Sequence, residues 1–199
     1  MSGSNYHFEP IKMDAFSYLS VLLSIILGLA IAQVLQGYRG LLLSRARVTL
    51  YAPTLIWSAL LLVFAAQSWW ASFGYADHAS WDFAGFSIIL LQTALLYMMA
   101  AVILPDVPPA EPVDLRAHYE RERRLFFGLS IAMLAASLAK DVMIDGRLPE
   151  GANFAFHLFF AAVSAAAILI RAPRFHALLA PAMAVLTGAY IALLFARLG

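Results

Sequence analysis

Ala15–Tyr38 reads AFSYLSVLLSIILGLAIAQVLQGY, twenty-four residues without one charged side chain. A helix crossing the roughly 30 Å hydrocarbon core of a bilayer needs about 20 such residues. Val48–Ala76 is likewise uncharged, and so is Phe83–Pro105, which its proline closes. Leu125–Ala139 is only fifteen residues, about 22 Å at helical rise, so this span must run on through Lys140 and Asp141 to Ile144. Gly151–Ile170 is the fifth such stretch and Phe175–Ala196 the sixth, with Pro181 expected to kink the last helix early.

The fold expected is therefore all-α, a polytopic bundle of six transmembrane helices in one domain, residues 1–199. The spans fall at about 15–38, 52–75, 83–104, 124–144, 152–170 and 175–197. Composition agrees. The chain is 63% hydrophobic and 13% charged, against about 45–50% and 25% in soluble domains, and its mean hydropathy is +0.80. The partner implied is the lipid bilayer.

The one long connection, Pro105–Arg124, divides in two. PDVPPAEP is turn-rich and cannot be helical. DLRAHYERERR reads as a helical extension over residues 114–124, capped by Asp114 and running straight into span 4.

Cations set the orientation. Arg39, Arg45, Arg47, Arg116, Arg121, Arg123, Arg124, Arg171 and Arg174 lie in loops 1–2, 3–4 and 5–6, nine of the thirteen. Lys12, Lys140, Arg147 and Arg197 lie on the other side. The odd-numbered loops are thus expected in the cytoplasm and both termini outside, which in a bacterium is the periplasm. Trp69, Trp70 and Trp81 flank loop 2–3, where an interfacial belt is expected. Residues 1–14 lack the layout of a signal peptide, so the first span is expected to be a retained helix.

Several chemistries are excluded. The absence of cysteine removes thiol catalysis, cysteine-ligated zinc, iron–sulfur clusters and disulfides, and a net charge of +1 gives no reason to expect nucleic acid. There is no HExxH, no phosphate-cradling glycine loop and no GxSxG, and the histidines (His7, His78, His118, His157, His176) are scattered. No cofactor is implied.

Polar residues inside spans are then the informative ones. Ser130, Ser137, Asp141 and Asp145 form one stripe of span 4, and Asn153, His157 and Ser164 answer on span 5. The antiparallel hairpin brings Asp141 and Asp145 to the depth of Asn153 and His157. A carboxylate beside an imidazole there could bind a cation, pass a proton or respond to pH; equally, it could close the hairpin as an ion pair. Lys140, about 100° round the helix from Asp141, is placed to snorkel to the interface. Gln67 and Gln92 either hydrogen-bond between helices or extend a polar path from Asp141 and His157.

Span 1 carries Ser20, Ser24, Gly28 and Ala32 at four-residue spacing, a ridge that lets a helix approach closely, from this chain or from a second protomer or membrane partner. On the cytoplasmic helix, Arg116, Glu120 and Arg124 alternate in sign as on a solvated face. Asp114, His118 and Glu122 share that spacing, but three ligands spread over two turns do not converge on a metal unaided.

SYLSVLLSIILGLAIAQVLQGYRG, the pair Trp69–Trp70 and LRAHYERERRLFF from Leu115 together resemble a group of small bacterial six-span membrane proteins with no established activity. The resemblance implies the same topology in a bacterial inner membrane, and draws some interest to His118 and Tyr119.

Three function classes remain: transport of a small solute or ion past the polar groups of spans 2 to 5, an accessory role docking a partner, and an enzyme acting on a lipid or quinone. The last lacks a catalytic constellation.

Overall fold

A computed structural model describes residues 15–75, 82–107 and 111–196. Six helices are long and apolar enough to cross a membrane: α1 (Ala15–Leu43), α2 (Ala52–Ala71), α3 (Phe83–Ile103), α4 (Leu115–Asp145), α5 (Ala152–Leu169) and α6 (Pro173–Ala196). The chain is a multi-pass membrane protein built as an all-α six-helix bundle.

Helix ends follow local chemistry. α1 continues past Tyr38 and takes in Arg39, since arginine is a good helix former and can carry its charge outward. Asp82 caps α3 by accepting from the Gly85 amide at 2.7 Å, and Asp114 caps α4 by accepting from the amides of Arg116 and Ala117. α4 ends at Gly146, whose φ of 70° places it in the left-handed region that glycine tolerates best. Its 31 residues span about 46 Å at helical rise. That exceeds the hydrocarbon thickness, so the charged first turns project beyond it. α6 opens on Pro173, where a missing amide costs nothing, and continues through Pro181.

α4 packs between α3 and α5, α1 lies against α2 and α3, and the principal neighbour of α6 is α2. Inside hydrocarbon there is no hydrophobic drive between helices, so close packing holds them together. Trp57 of α2 meets Phe126 and Phe127 of α4 edge-on, with ring centroids 5.8 and 5.3 Å apart; such pairs are worth about 0.5–1.5 kcal/mol each. Around them Leu96, Leu115 and Met183 are buried, while Leu29, Leu178 and Val185 are exposed, as lipid-facing side chains should be.

The middle of the ridge on α1 faces outward, while its ends, Ser20 and Ala32, are half-buried. Leu19, Leu23, Leu27, Ala30 and Val34 form its buried face. Ser24 and Gly28 are exposed, and a β-carbon on Gly28 would meet nothing within 4 Å. Trp69 reaches over, donating from Nε1 to Ser24 Oγ at 3.3 Å. The close approach is made elsewhere: a β-carbon on Gly37 would come within 2.6 Å of Leu104 Cδ1.

Loops 1–2 and 3–4 are joined by two short parallel strands, β1 (Val48–Thr49) and β2 (Val113–Asp114), pairing Val48 with Val113 and Thr49 with Asp114. Nothing in the hydropathy pattern announces this clasp, because two-residue strands carry no periodicity.

Candidate functional site

The polar groups foreseen at the Asp141 end are divided into separate local contacts. Lys140 does not snorkel away; its Nζ lies 3.2 Å from Asp141 Oδ1 and 5.5 Å from the centre of the Tyr75 ring. Both side chains of that pair are largely covered, at 15% and 13% exposed, so Asp141 is already neutralised by its neighbour. Among the described residues, no hydrogen bond or ion pair joins His157 to a carboxylate. Its Nδ1 lies 2.8 Å from the Asn153 carbonyl and its Nε2 3.1 Å from Ser137 Oγ. One tautomer satisfies both, with Nδ1–H donating to the carbonyl and Nε2 accepting from the serine. Ser130 and Ser164 meet at 3.2 Å further along the same interface. The His157–Ser137 and Ser130–Ser164 bonds join α4 to α5. Asp145 and Asn153 are exposed, and among the described residues no hydrogen bond joins Gln67 or Gln92 to Asp141 or His157.

Asp114, His118 and Glu122 do not assemble either. Asp114 caps its helix, His118 lies 2.9 Å from the Val102 carbonyl and 3.2 Å from Arg121 Nη2, and Glu122 pairs with Arg121 at 2.8 Å. Among the described residues no three acidic or histidine side chains are grouped to hold a metal ion.

The arrangement that does converge lies at the opposite end of α4. Arg123 is 6% exposed. Its Nη1 donates to the carbonyls of Ala167, at 3.2 Å, and Ile170, where α5 ends. His176 of α6 lies beside it, with Nε2 2.8 Å from the Ile170 carbonyl and Nδ1 2.9 Å from the Tyr119 hydroxyl. The carbonyl requires a proton on Nε2, so Nδ1 accepts from Tyr119. Nη1 of Arg123, 3.1 Å from Nε2, then faces another donor, and its own hydrogens serve the carbonyls.

Arg123 is only half compensated. The last carbonyls of a helix are equivalent to roughly half a negative charge, and none of the four ion pairs among the described residues includes Arg123. Its Nε is buried without a hydrogen-bond partner, and no hydrogen bond among the described residues uses Nη2. An unpaired buried charge costs several kcal/mol.

Beside this group is a cavity of about 340 Å³, lined by Tyr51, Tyr119, Arg123, Arg124, Arg171 and His176 among others, which is ligand-sized. Four arginines border it against one acid, Glu120. Glu120 is engaged by Arg116 at 2.9 Å, and Arg121 by Glu122, which leaves Arg123, Arg124 and Arg171 without an acidic partner among the described residues. Burial raises the pKa of Tyr51 above the usual tyrosine value, though Arg116 draws it down and Glu120 raises it again. Its hydroxyl therefore stays a donor at neutral pH.

The chain matches no family model, no curated protein and no solved structure.

The helical wheel does contain a signal for this site. Leu115, Tyr119, Arg123, Phe126 and Ser130 recur at spacings of four and three on the buried face of α4. Arg121, Arg123 and Arg124 read together as headgroup anchors, but Arg123 alone falls on that stripe.

Proposed function

We propose that this multi-pass membrane protein binds a small anion at the arginine-rich mouth of its bundle, the step with which transport of a solute or ion would begin. The observation that carries the reading is Arg123, buried on the wall of a ligand-sized cavity with no ion-pair partner among the described residues. Transport past Asp141 and His157 draws no such support, since the first is paired with Lys140 and the second is satisfied by Ser137 and Asn153. The distribution of arginines supports placing this mouth on the cytoplasmic side of a bacterial inner membrane with both termini outside.

The test is flux in proteoliposomes loaded with a panel of small anions. Wild type is expected to pass at least one of them, and Arg124→Gln with Arg171→Gln to slow it without loss of folded protein. An equal rate in the double variant, or no flux for any anion, would remove the transport reading.

A second reading, an accessory protein docking a membrane partner, is favoured by the outward ridge of α1, where Gly28 has nothing against it. A stoichiometric partner in mild detergent, lost on Gly28→Leu, would support it.

A further inference from the structure

Resting on the reading of the mouth as an anion site, we propose that its ligand is a phosphate monoester, held at the cavity wall by Arg123 and closed over by Arg124 and Arg171. Three observations converge on phosphate chemistry. The first is Arg123. It is more than nine-tenths buried, lines the cavity, and has Nη1 fixed to the carbonyls of Ala167 and Ile170. The guanidinium is thereby held in one orientation at the cavity wall, with no hydrogen bond to Nη2 among the described residues.

The second is charge. Three guanidiniums without an acidic partner among the described residues border the cavity, while its one acid is held by Arg116. A single carboxylate would leave most of that charge unmatched; a phosphate monoester brings nearly two negative charges and three acceptor oxygens. Pro173 also lines the cavity, so the positive end of the α6 dipole lies at the same mouth.

The third is position. Arg124 is followed by Leu125, which is 51% exposed, and Arg171 is preceded by Leu169, 77% exposed, and by exposed Ile170. The cationic mouth thus sits where lipid-facing apolar surface begins, at the height of phospholipid headgroups. The same phosphate chemistry can reach it on a lipid or from solution.

Isothermal titration of the full-length protein in a neutral detergent, at fixed ionic strength, separates these cases. The probes are short-chain phosphatidic acid, glycerol phosphate and inorganic phosphate, with acetate and a short-chain fatty acid as carboxylate controls. A phosphate probe is expected to bind at least tenfold tighter than its carboxylate counterpart. Binding of phosphatidic acid alone assigns a lipid-borne ligand; binding of glycerol phosphate as well assigns a soluble one. Arg123→Lys keeps the charge but not the planar guanidinium that the carbonyls of Ala167 and Ile170 hold in place, and should weaken binding tenfold or more. Because Arg123 also pins the end of α5, the exposed pair Arg124→Gln and Arg171→Gln is measured beside it and should weaken binding comparably. Equal affinity for carboxylate and phosphate overturns the phosphate assignment and leaves the anion reading standing. Silence toward every anion overturns both. Unaltered phosphate affinity in the Arg124→Gln, Arg171→Gln variant overturns the site.

Discussion

The hydroxyl of Tyr119 lies 2.9 Å from Nδ1 of His176, joining α4 to α6 across 57 positions of sequence. Both side chains are buried, though both border the cavity. Tyr119→Phe keeps the ring and strands the imidazole nitrogen, which costs about 1–3 kcal/mol. The expected result is a lower melting temperature in detergent with helix content unchanged. An unshifted melt would mean that the imidazole finds another partner and that the bond does not hold α6.

Lys140 and Asp141 provide a contrast between breaking a pair and replacing it. Lys140→Met alone leaves a covered carboxylate without its counter-charge, and should destabilise by about 3 kcal/mol, the low end for a buried pair. Lys140→Met with Asp141→Leu should come back close to wild type, because removing both charges also removes their desolvation cost. Chemical unfolding of the two variants in mixed micelles decides it; a double variant less stable than the single one would show the pair to be net stabilising.

Gly37 and Leu104 form a steric pair suited to a mutant cycle. Gly37→Ala places a methyl group against both Leu104 Cδ1 and Cβ, the latter at 2.9 Å, and should cost about 1–3 kcal/mol. Shortening the opposing side chain with Leu104→Ala should recover much of that loss, a coupling that independent sites would not show. Additive melting shifts would indicate that α1 moves bodily instead.

The chain contains no cysteine, so single-cysteine labelling needs no background correction. Arg45→Cys, Arg121→Cys and Arg174→Cys should all react with an impermeant maleimide from one face of sealed vesicles, and Arg147→Cys from the other. Labelling of Arg45→Cys and Arg121→Cys from opposite faces would break the six-span topology.

Hydropathy made the six helices legible because crossing a bilayer demands long charge-free runs, and these survive whatever the helices pack against. Asp114 was equally readable as a cap, since its partners are two and three residues away. The candidate site was not. Arg123 sits among other arginines in sequence, and what distinguishes it is the arrival of Ala167, Ile170 and His176 from the end of α5 and the start of α6. The stripe of Asp141 and His157 was legible as a stripe, but spacing alone cannot choose between partners one turn apart, and the imidazole takes Ser137.

The clasp between Val48–Thr49 and Val113–Asp114 has a bearing on biogenesis. It can close only once the second and third helices have been threaded through the bilayer and the nascent chain has emerged as far as Asp114. That aspartate also caps the fourth helix. The tie between the two loops and the start of the fourth helix therefore meet in one residue, and a ribosome stalled just short of it would leave three inserted helices with their loops untied.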